Sequence, residues 1–192
     1  MDTCFRMLDN LLSIPLMPLP VITTLLAFMI VCCAFDLRTR RIPNAISAPA
    51  IVIGLVLNGL YFGTAGLLAS ACGTVVMIGV LLAPFALGGI GAGDVKMMAA
   101  VGAFLGPRLA IFGLALGVGL GGIVMAVHLI RLGRLGEKVR ALQGMIASAV
   151  VTRTTIPLRI AADDPGAISL PYSVPLGLGT AAAILAAMAL RV

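Results

Sequence analysis

Two aspartates stand at the edges of strongly apolar segments and are the first candidates for chemistry. Asp36 directly follows one apolar run, in CCAFDLRTRRIPN, and Asp94 lies in the glycine-rich stretch GIGAGDVK before another. A charge near hydrocarbon is costly unless another group compensates for it. A carboxylate in each of these places therefore indicates a functional role that offsets its energetic cost.

Two carboxylates at the same membrane depth could carry out acid–base chemistry together. If they come within a few ångströms, like charge and loss of water favour one shared proton. The ionised member could take a proton from water, while the protonated member polarises a peptide carbonyl and later protonates the leaving nitrogen. This chemistry needs no cofactor or metal, and none is predicted. The single histidine, His128, rules out most Ser–His or Cys–His arrangements.

The composition places the chain in a membrane. Of its 192 residues, 61% are hydrophobic and only 10% are charged, whereas a soluble domain carries about 25% charged residues. The net charge of +6 does not indicate nucleic-acid binding, because the basic residues stand in short stretches between apolar runs. They are typical of topology signals.

The positions of the apolar runs predict an all-α, polytopic membrane protein forming a single domain over residues 1–192. Six transmembrane helices are expected over residues 16–35, 46–62, 67–87, 95–105, 109–130 and 174–190. The run 95–105 would reach only about 17 Å. It is counted as a span because GIGAGD would then lie below the lipid surface, lining a polar cavity. The first run is interpreted as an uncleaved span, since arginines follow it instead of a cleavage site.

The basic residues predict that the N-terminus lies outside. With six spans, ten basic residues fall on the inner side and three on the outer side. Without the short span, the basic residues of 131–159 would lie opposite Arg38 to Arg41. The inner loop 131–171 begins with an amphipathic pattern that predicts a helix on the cytoplasmic leaflet; a soluble loop helix is the alternative. Glycines spaced by four in the fifth span predict close helix packing: Gly113, Gly117 and Gly121.

Four further residues could support the site. Gly91 and Gly93 could let a substrate backbone approach closely and permit positive φ. Lys96 could tune the aspartates, hold substrate or only anchor its helix. Asn44 could hydrogen-bond within the site or, the favoured interpretation, cap the second helix. From the residues alone, each aspartate could also be ion-paired at the interface.

The sequence resembles the type IV prepilin peptidases, which are membrane aspartyl proteases with a Gly-x-Gly-Asp motif. The resemblance rests on FDLRTRRIPN, which matches the pattern Asp-x5-Ile-Pro-Asn, and on GAGDVK. The late LPYSVPLGLG is similar to the Pro-Tyr motif that opens the last helix of that family, which draws attention to Tyr172.

The resemblance implies cleavage of prepilins, whose short basic leader ends in glycine and precedes a hydrophobic helix, by Asp36 and Asp94. The active site would face the cytoplasm from the bacterial inner membrane, with lipids as the other partner. Without a CxxC pair, methyltransferase activity is not expected, and the compact form resembles the peptidases of tight-adherence (Flp) pili. Asp163 and Asp164 are candidate contacts of the basic leader.

Two other functions compete with the peptidase. The carboxylates could form the proton or cation site of a small ion-coupled transporter or channel. The chain could also be a non-enzymatic assembly subunit of a pilus or secretion machine. The sequence leaves the oligomeric state open.

Overall fold

The structure is a computed structural model that describes residues 17–40, 42–87, 89–133, 136, 140 and 172–189. This part of the chain is all-helical, which confirms the all-α part of the predicted fold class. The helices are α1 (Leu19–Thr39), α2 (Asn44–Ala86), α3 (Ala92–Arg131) and α4 (Ser173–Ala189). Most of the predicted inner loop, with its amphipathic helix, lies outside the described residues.

Among the described helices, α1, α2 and α3 are long and apolar enough to cross a membrane, and α4 is a shorter apolar helix. Large apolar side chains remain exposed along them, for example Ile30, Leu60 and Val75. A surface of this kind is stable against lipid and not against water. The protein is therefore a membrane protein.

The two longest helices are interrupted by glycines with non-helical backbone. Gly63 in α2 has φ 63° and ψ −149°, and Gly106 in α3 has φ 73° and ψ 175°; both are conformations that a side chain disfavours. Both breaks fall between runs that the sequence separated into spans. Whether each half crosses the membrane stays a prediction.

The chain reverses direction at Gly63. Residues Gly54 and Gly73 are 19 positions apart and would be separated by about 28 Å on a straight helix. Both instead pack against neighbouring residues of α3, Gly54 against Ala103 and Gly73 against Gly102. The two halves of α2 thus lie side by side against the first half of α3.

The first half of α3 forms the centre of the protein. Every residue from Met97 to Leu105 is buried, because both halves of α2 cover this segment. Gly73 and Gly102 approach so closely that a Cβ on either would overlap the backbone of the other. The short predicted run is therefore enclosed by protein along most of its length.

Two polar side chains complete the end of this central segment. Asn58 donates from Nδ2 to the carbonyl oxygens of Ala103 and Phe104, each at 3.0 Å, and Ser70 donates from Oγ to that of Ala103 at 2.5 Å. Pro107 has no N–H for the Ala103 carbonyl, and carbonyls at a helix end need partners where water is absent. Asn58 and Ser70 supply them.

The second half of α3 packs on α4 through the predicted glycine stripe, and that prediction is confirmed. A Cβ on Gly113 would come within 3.1 Å of Thr180 Cα, and one on Gly117 within 2.8 Å of Leu176 Cα. Gly121 lies against the side chains of Pro175 and Tyr172 at the start of α4, where a Cβ would be at ordinary contact distance. The absent side chains let the two backbones come into contact.

Candidate active site

Asp36 lies on a helix and not after one. Helix α1 continues past the apolar run to Thr39 and ends at Arg40, whose left-handed φ of 51° lets its N–H bond to the Asp36 carbonyl at 2.8 Å. Asp36 is therefore in the last turn of α1, and its side chain is partly buried. Ser173 at the start of α4 donates its hydroxyl to Asp36 Oδ2 at 2.6 Å.

Asp94 also lies on a helix, in the first turn of α3. Its partly buried carboxylate accepts a hydrogen bond from the backbone N–H of Gly91, the residue that caps this helix. This is half of a capping box, in which a side chain in the first turn reaches back to the cap residue.

The structure brings the two aspartates together. Asp94 lies close enough to Asp36 for the charge of one carboxylate to act on the other. One belongs to the end of α1 and the other to the start of α3, 58 positions along the chain. The first turn of α4 reaches Asp36 through Ser173, so three helix ends contribute to the site.

The helix ends give the two carboxylates different surroundings. The backbone at a helix N-terminus favours negative charge, and the C-terminus disfavours it. Asp94 occupies the favourable end of its own helix, whereas Asp36 occupies the unfavourable end of α1. Asp36 obtains a donor from the N-terminus of α4 instead.

Gly93 has a packing contact that the sequence did not predict. A Cβ there would come within 3.3 Å of the side chain of Ile42, a buried residue of the stretch that follows α1. The missing side chain thus lets the two sequence motifs pack together. The prediction of positive φ is wrong for both glycines, because Gly93 lies within the helical turn and Gly91 has φ −73°.

Asn44 and Lys96 form a contact between the starts of α2 and α3. Lys96 donates from Nζ to Asn44 Oδ1 at 2.6 Å. The favoured capping role for Asn44 is wrong, because α2 already begins at Asn44 and is capped by Pro43 without a side-chain hydrogen bond. Asn44 instead accepts the hydrogen bond from Lys96, and a role of Asn44 within the site stays a prediction.

The sequence argument missed Ser173. It drew attention to Tyr172, which is more exposed and lies against Gly121, while the next residue is fully buried and bonded to Asp36. The available signal was a hydroxyl at the start of an apolar helix expected to begin on the same membrane side as Asp36. Cys33, one turn before Asp36, donates its thiol to the Ser173 carbonyl at 3.4 Å.

The groups assembled here suit proton transfer. The two carboxylates are the ionisable centre, a hydroxyl and a backbone N–H are their donors, and no group of three metal-binding side chains occurs among the described residues. Carboxylates arranged in this way, on helices long and apolar enough to cross a membrane, define a class of helical membrane protein with a paired-aspartate centre.

The comparison with protein families identifies the chain further. The model of the type IV leader peptidase family matches residues 23–127, which include both aspartates. No curated protein and no solved structure matches the chain. The chain belongs to the type IV leader peptidase family, and the predicted resemblance is confirmed at that level. Membership implies a protease that acts on prepilin leader peptides.

Proposed function

We propose that this protein is an aspartic endopeptidase that removes the basic leader from prepilins, with Asp36 and Asp94 as its catalytic pair. The observation that carries the proposal is the meeting of these two carboxylates, from separate sequence motifs, at the junction of α1, α3 and α4. Family membership supplies the reaction class.

The pair would hydrolyse the peptide bond by general acid–base catalysis. The oxygen of a water molecule attacks the carbonyl carbon while the ionised carboxylate takes one water proton and the protonated carboxylate donates to the carbonyl oxygen. The resulting diol then collapses. The C–N bond breaks, the nitrogen takes the proton from the carboxyl group that received it, and a diol proton returns to the other carboxylate.

The site would face the cytoplasm in a six-span arrangement with the N-terminus outside. The helix breaks at Gly63 and Gly106 support this topology, because they divide α2 and α3 where the sequence predicts span ends. The exposed side chains of Arg38 and Arg40 follow Asp36 directly. Basic residues of this kind remain on the cytoplasmic side of a bacterial inner membrane.

The other candidate site residues would support the pair without reacting. Gly91 holds the Asp94 carboxylate through its N–H, and Gly93 admits Ile42 against the same turn. The Lys96–Asn44 hydrogen bond joins the starts of two helices beside the site. These contacts would limit movement of Asp94 relative to Asp36.

The substrate would be a prepilin of the Flp type, with a basic leader followed by a hydrophobic helix. An apolar segment suits the lipid-facing surface that the helices expose. The acidic pair Asp163 and Asp164 of the inner loop, outside the described residues, are the proposed contacts of the leader, since opposite charges attract.

The test is co-expression of the full chain with a tagged Flp-type prepilin, with leader removal followed by mass change. Asp36→Asn and Asp94→Asn should each abolish cleavage while the protein still inserts into the membrane. Asp9→Asn is the matched control, because it removes a carboxylate from the tail predicted outside, and should cleave normally. Cleavage by either site variant would refute the proposal, and ion flux in liposomes without proteolysis would favour a transporter.

A further inference from the structure

Ser173 differs from Thr180 and Ser70, two other residues with a buried hydroxyl group. Thr180 donates to the backbone carbonyl of Leu176 in its own helix at 2.9 Å, and Ser70 donates to a backbone carbonyl of α3. Ser173 donates to a carboxylate, that of Asp36, at 2.6 Å. The Thr180 and Ser70 hydroxyls provide donors for backbone carbonyl groups, whereas the Ser173 hydroxyl bonds to an ionisable side chain.

The surroundings of Ser173 hold this hydroxyl in place. The residue is fully buried at the first position of α4. Its carbonyl accepts the thiol of Cys33 at 3.4 Å, so the same residue is joined to α1 at two points one helical turn apart. The glycine stripe of α3 fixes α4 from the other side. A donor held in this way loses little rotational freedom when it bonds.

Asp36 depends on a donor from another helix. Asp36 lies in the last turn of α1, where the unpaired backbone groups are carbonyls and not N–H groups, so its own helix disfavours its charge. Asp94 has no such need, because the N–H of Gly91 in its own helix start reaches it. Hydrogen bonds to charged groups are roughly twice as strong as neutral ones and have narrow geometry.

We propose that Ser173 is a positioning residue of the proposed peptidase, whose hydroxyl holds the Asp36 carboxylate in its reactive orientation and makes α4 part of the active site. With Oδ2 bonded to Ser173, the carboxylate has one preferred rotation, and Oδ1 keeps a fixed direction. The inference rests on the proposed function, since it assigns a task within that reaction. It adds a residue that lies beyond the segment matched by the family, residues 23–127.

The test compares Ser173→Ala and Ser173→Thr in the full-length enzyme, reconstituted in liposomes with a prepilin that the wild type cleaves. Loss of a hydrogen bond to a charged group should lower kcat of Ser173→Ala about 10- to 100-fold. KM should change less than about twofold, because the hydroxyl bonds to Asp36 and not to substrate. Ser173→Thr keeps the hydroxyl and should recover most of the lost kcat.

Thr180→Val is the matched control. It removes a buried hydroxyl of the same helix that bonds only to its own backbone, keeps the side-chain shape, and should leave kcat unchanged. Wild-type kcat in Ser173→Ala would overturn the inference. So would an equal loss in the Ala and Thr variants, or a loss in Thr180→Val as large as that in Ser173→Ala, because each would indicate general damage to α4.

A stability measurement separates this inference from the proposed function. Thermal unfolding in detergent of Ser173→Ala, Asp36→Ala and the double variant gives their coupling without any substrate, since Asp36→Ala removes the oxygen to which the Ser173 hydroxyl donates. We expect the double variant to lose clearly less than the sum of the two single losses, since both remove one contact. A loss of stability in the double variant equal to the sum of the two single losses would refute the hydrogen bond between Ser173 and Asp36. Failure of the wild type to cleave prepilins would refute the proposed function, whatever the coupling.

Discussion

Asn58 is expected to hold the central segment of α3, and with it Asp94, in place. It is buried, and its amide donates to the carbonyls of Ala103 and Phe104 at 3.0 Å and to that of Gly54 in its own helix at 3.2 Å. Asn58→Ala removes both N–H donors of this amide from a buried position. Neutral hydrogen bonds contribute about 0.5–1.5 kcal/mol each. The variant should therefore lose about 1–3 kcal/mol of unfolding free energy.

The neighbouring hydroxyl allows a sharper version of this prediction. Ser70 donates to the same Ala103 carbonyl as Asn58. In Ser70→Ala, that carbonyl keeps its bond from Asn58, so the loss should be about 1 kcal/mol or less. In the double variant the carbonyl has neither donor, and the cost of leaving a buried acceptor unpaired is added. The double loss should exceed the sum of the single losses.

The assay is equilibrium unfolding in mixed micelles, with helicity followed as denaturing detergent is added. Leader removal is measured in parallel, because a displaced segment carries Asp94 with it. Thr74→Val is the control, since the Thr74 hydroxyl bonds to its own helix at Ser70 O and should be nearly neutral. Wild-type stability in Asn58→Ala, or losses in the double variant equal to the sum, would refute the reasoning.

Two further predictions concern helix packing and orientation. Gly117→Ala should lower the thermal midpoint, because its Cβ would lie 2.8 Å from Leu176 Cα and overpacking costs about 1–3 kcal/mol. Gly119→Ala is the control and should leave the midpoint unchanged, because a Cβ there enters open space. Equal midpoints in the two variants would contradict the packing of α3 on α4. In a cysteine-free background, a membrane-impermeant maleimide should label Arg40→Cys only from the cytoplasmic side and Arg108→Cys only from outside, and labelling of both from one side would contradict the topology.

The catalytic candidates could be found from the sequence because their signals are local. A carboxylate beside an apolar run is costly wherever the chain folds, so Asp36 and Asp94 stand out without a structure. The glycine stripe of α3 is also a local pattern, since residues spaced by four share one helix face. Both kinds of signal depend only on neighbouring residues.

The residues at which the helices begin and end were harder to predict from the sequence than the two aspartates. The apolar runs end before Asp36 and begin after Asp94, but α1 continues to Thr39 and α3 begins at Ala92. Hydrophobicity marks where lipid is favourable, whereas a helix ends where the backbone finds a cap. Arg40 in a left-handed conformation provides that end for α1, and the composition does not reveal it.

The sequence by itself determined that the protein lies in a membrane, that it is helical, which family it belongs to and which two carboxylates are the catalytic candidates. Composition and short motifs are carried by adjacent residues, so these features need no tertiary structure. Only the tertiary structure decided which groups stand beside those carboxylates. The Ser173 hydroxyl on Asp36, the Ile42 side chain over Gly93 and the amide of Asn58 at the end of the central segment all join positions far apart in the chain. A hydrogen bond or close contact depends on distances of a few ångströms between separate helices, and those distances exist only after the helices have packed.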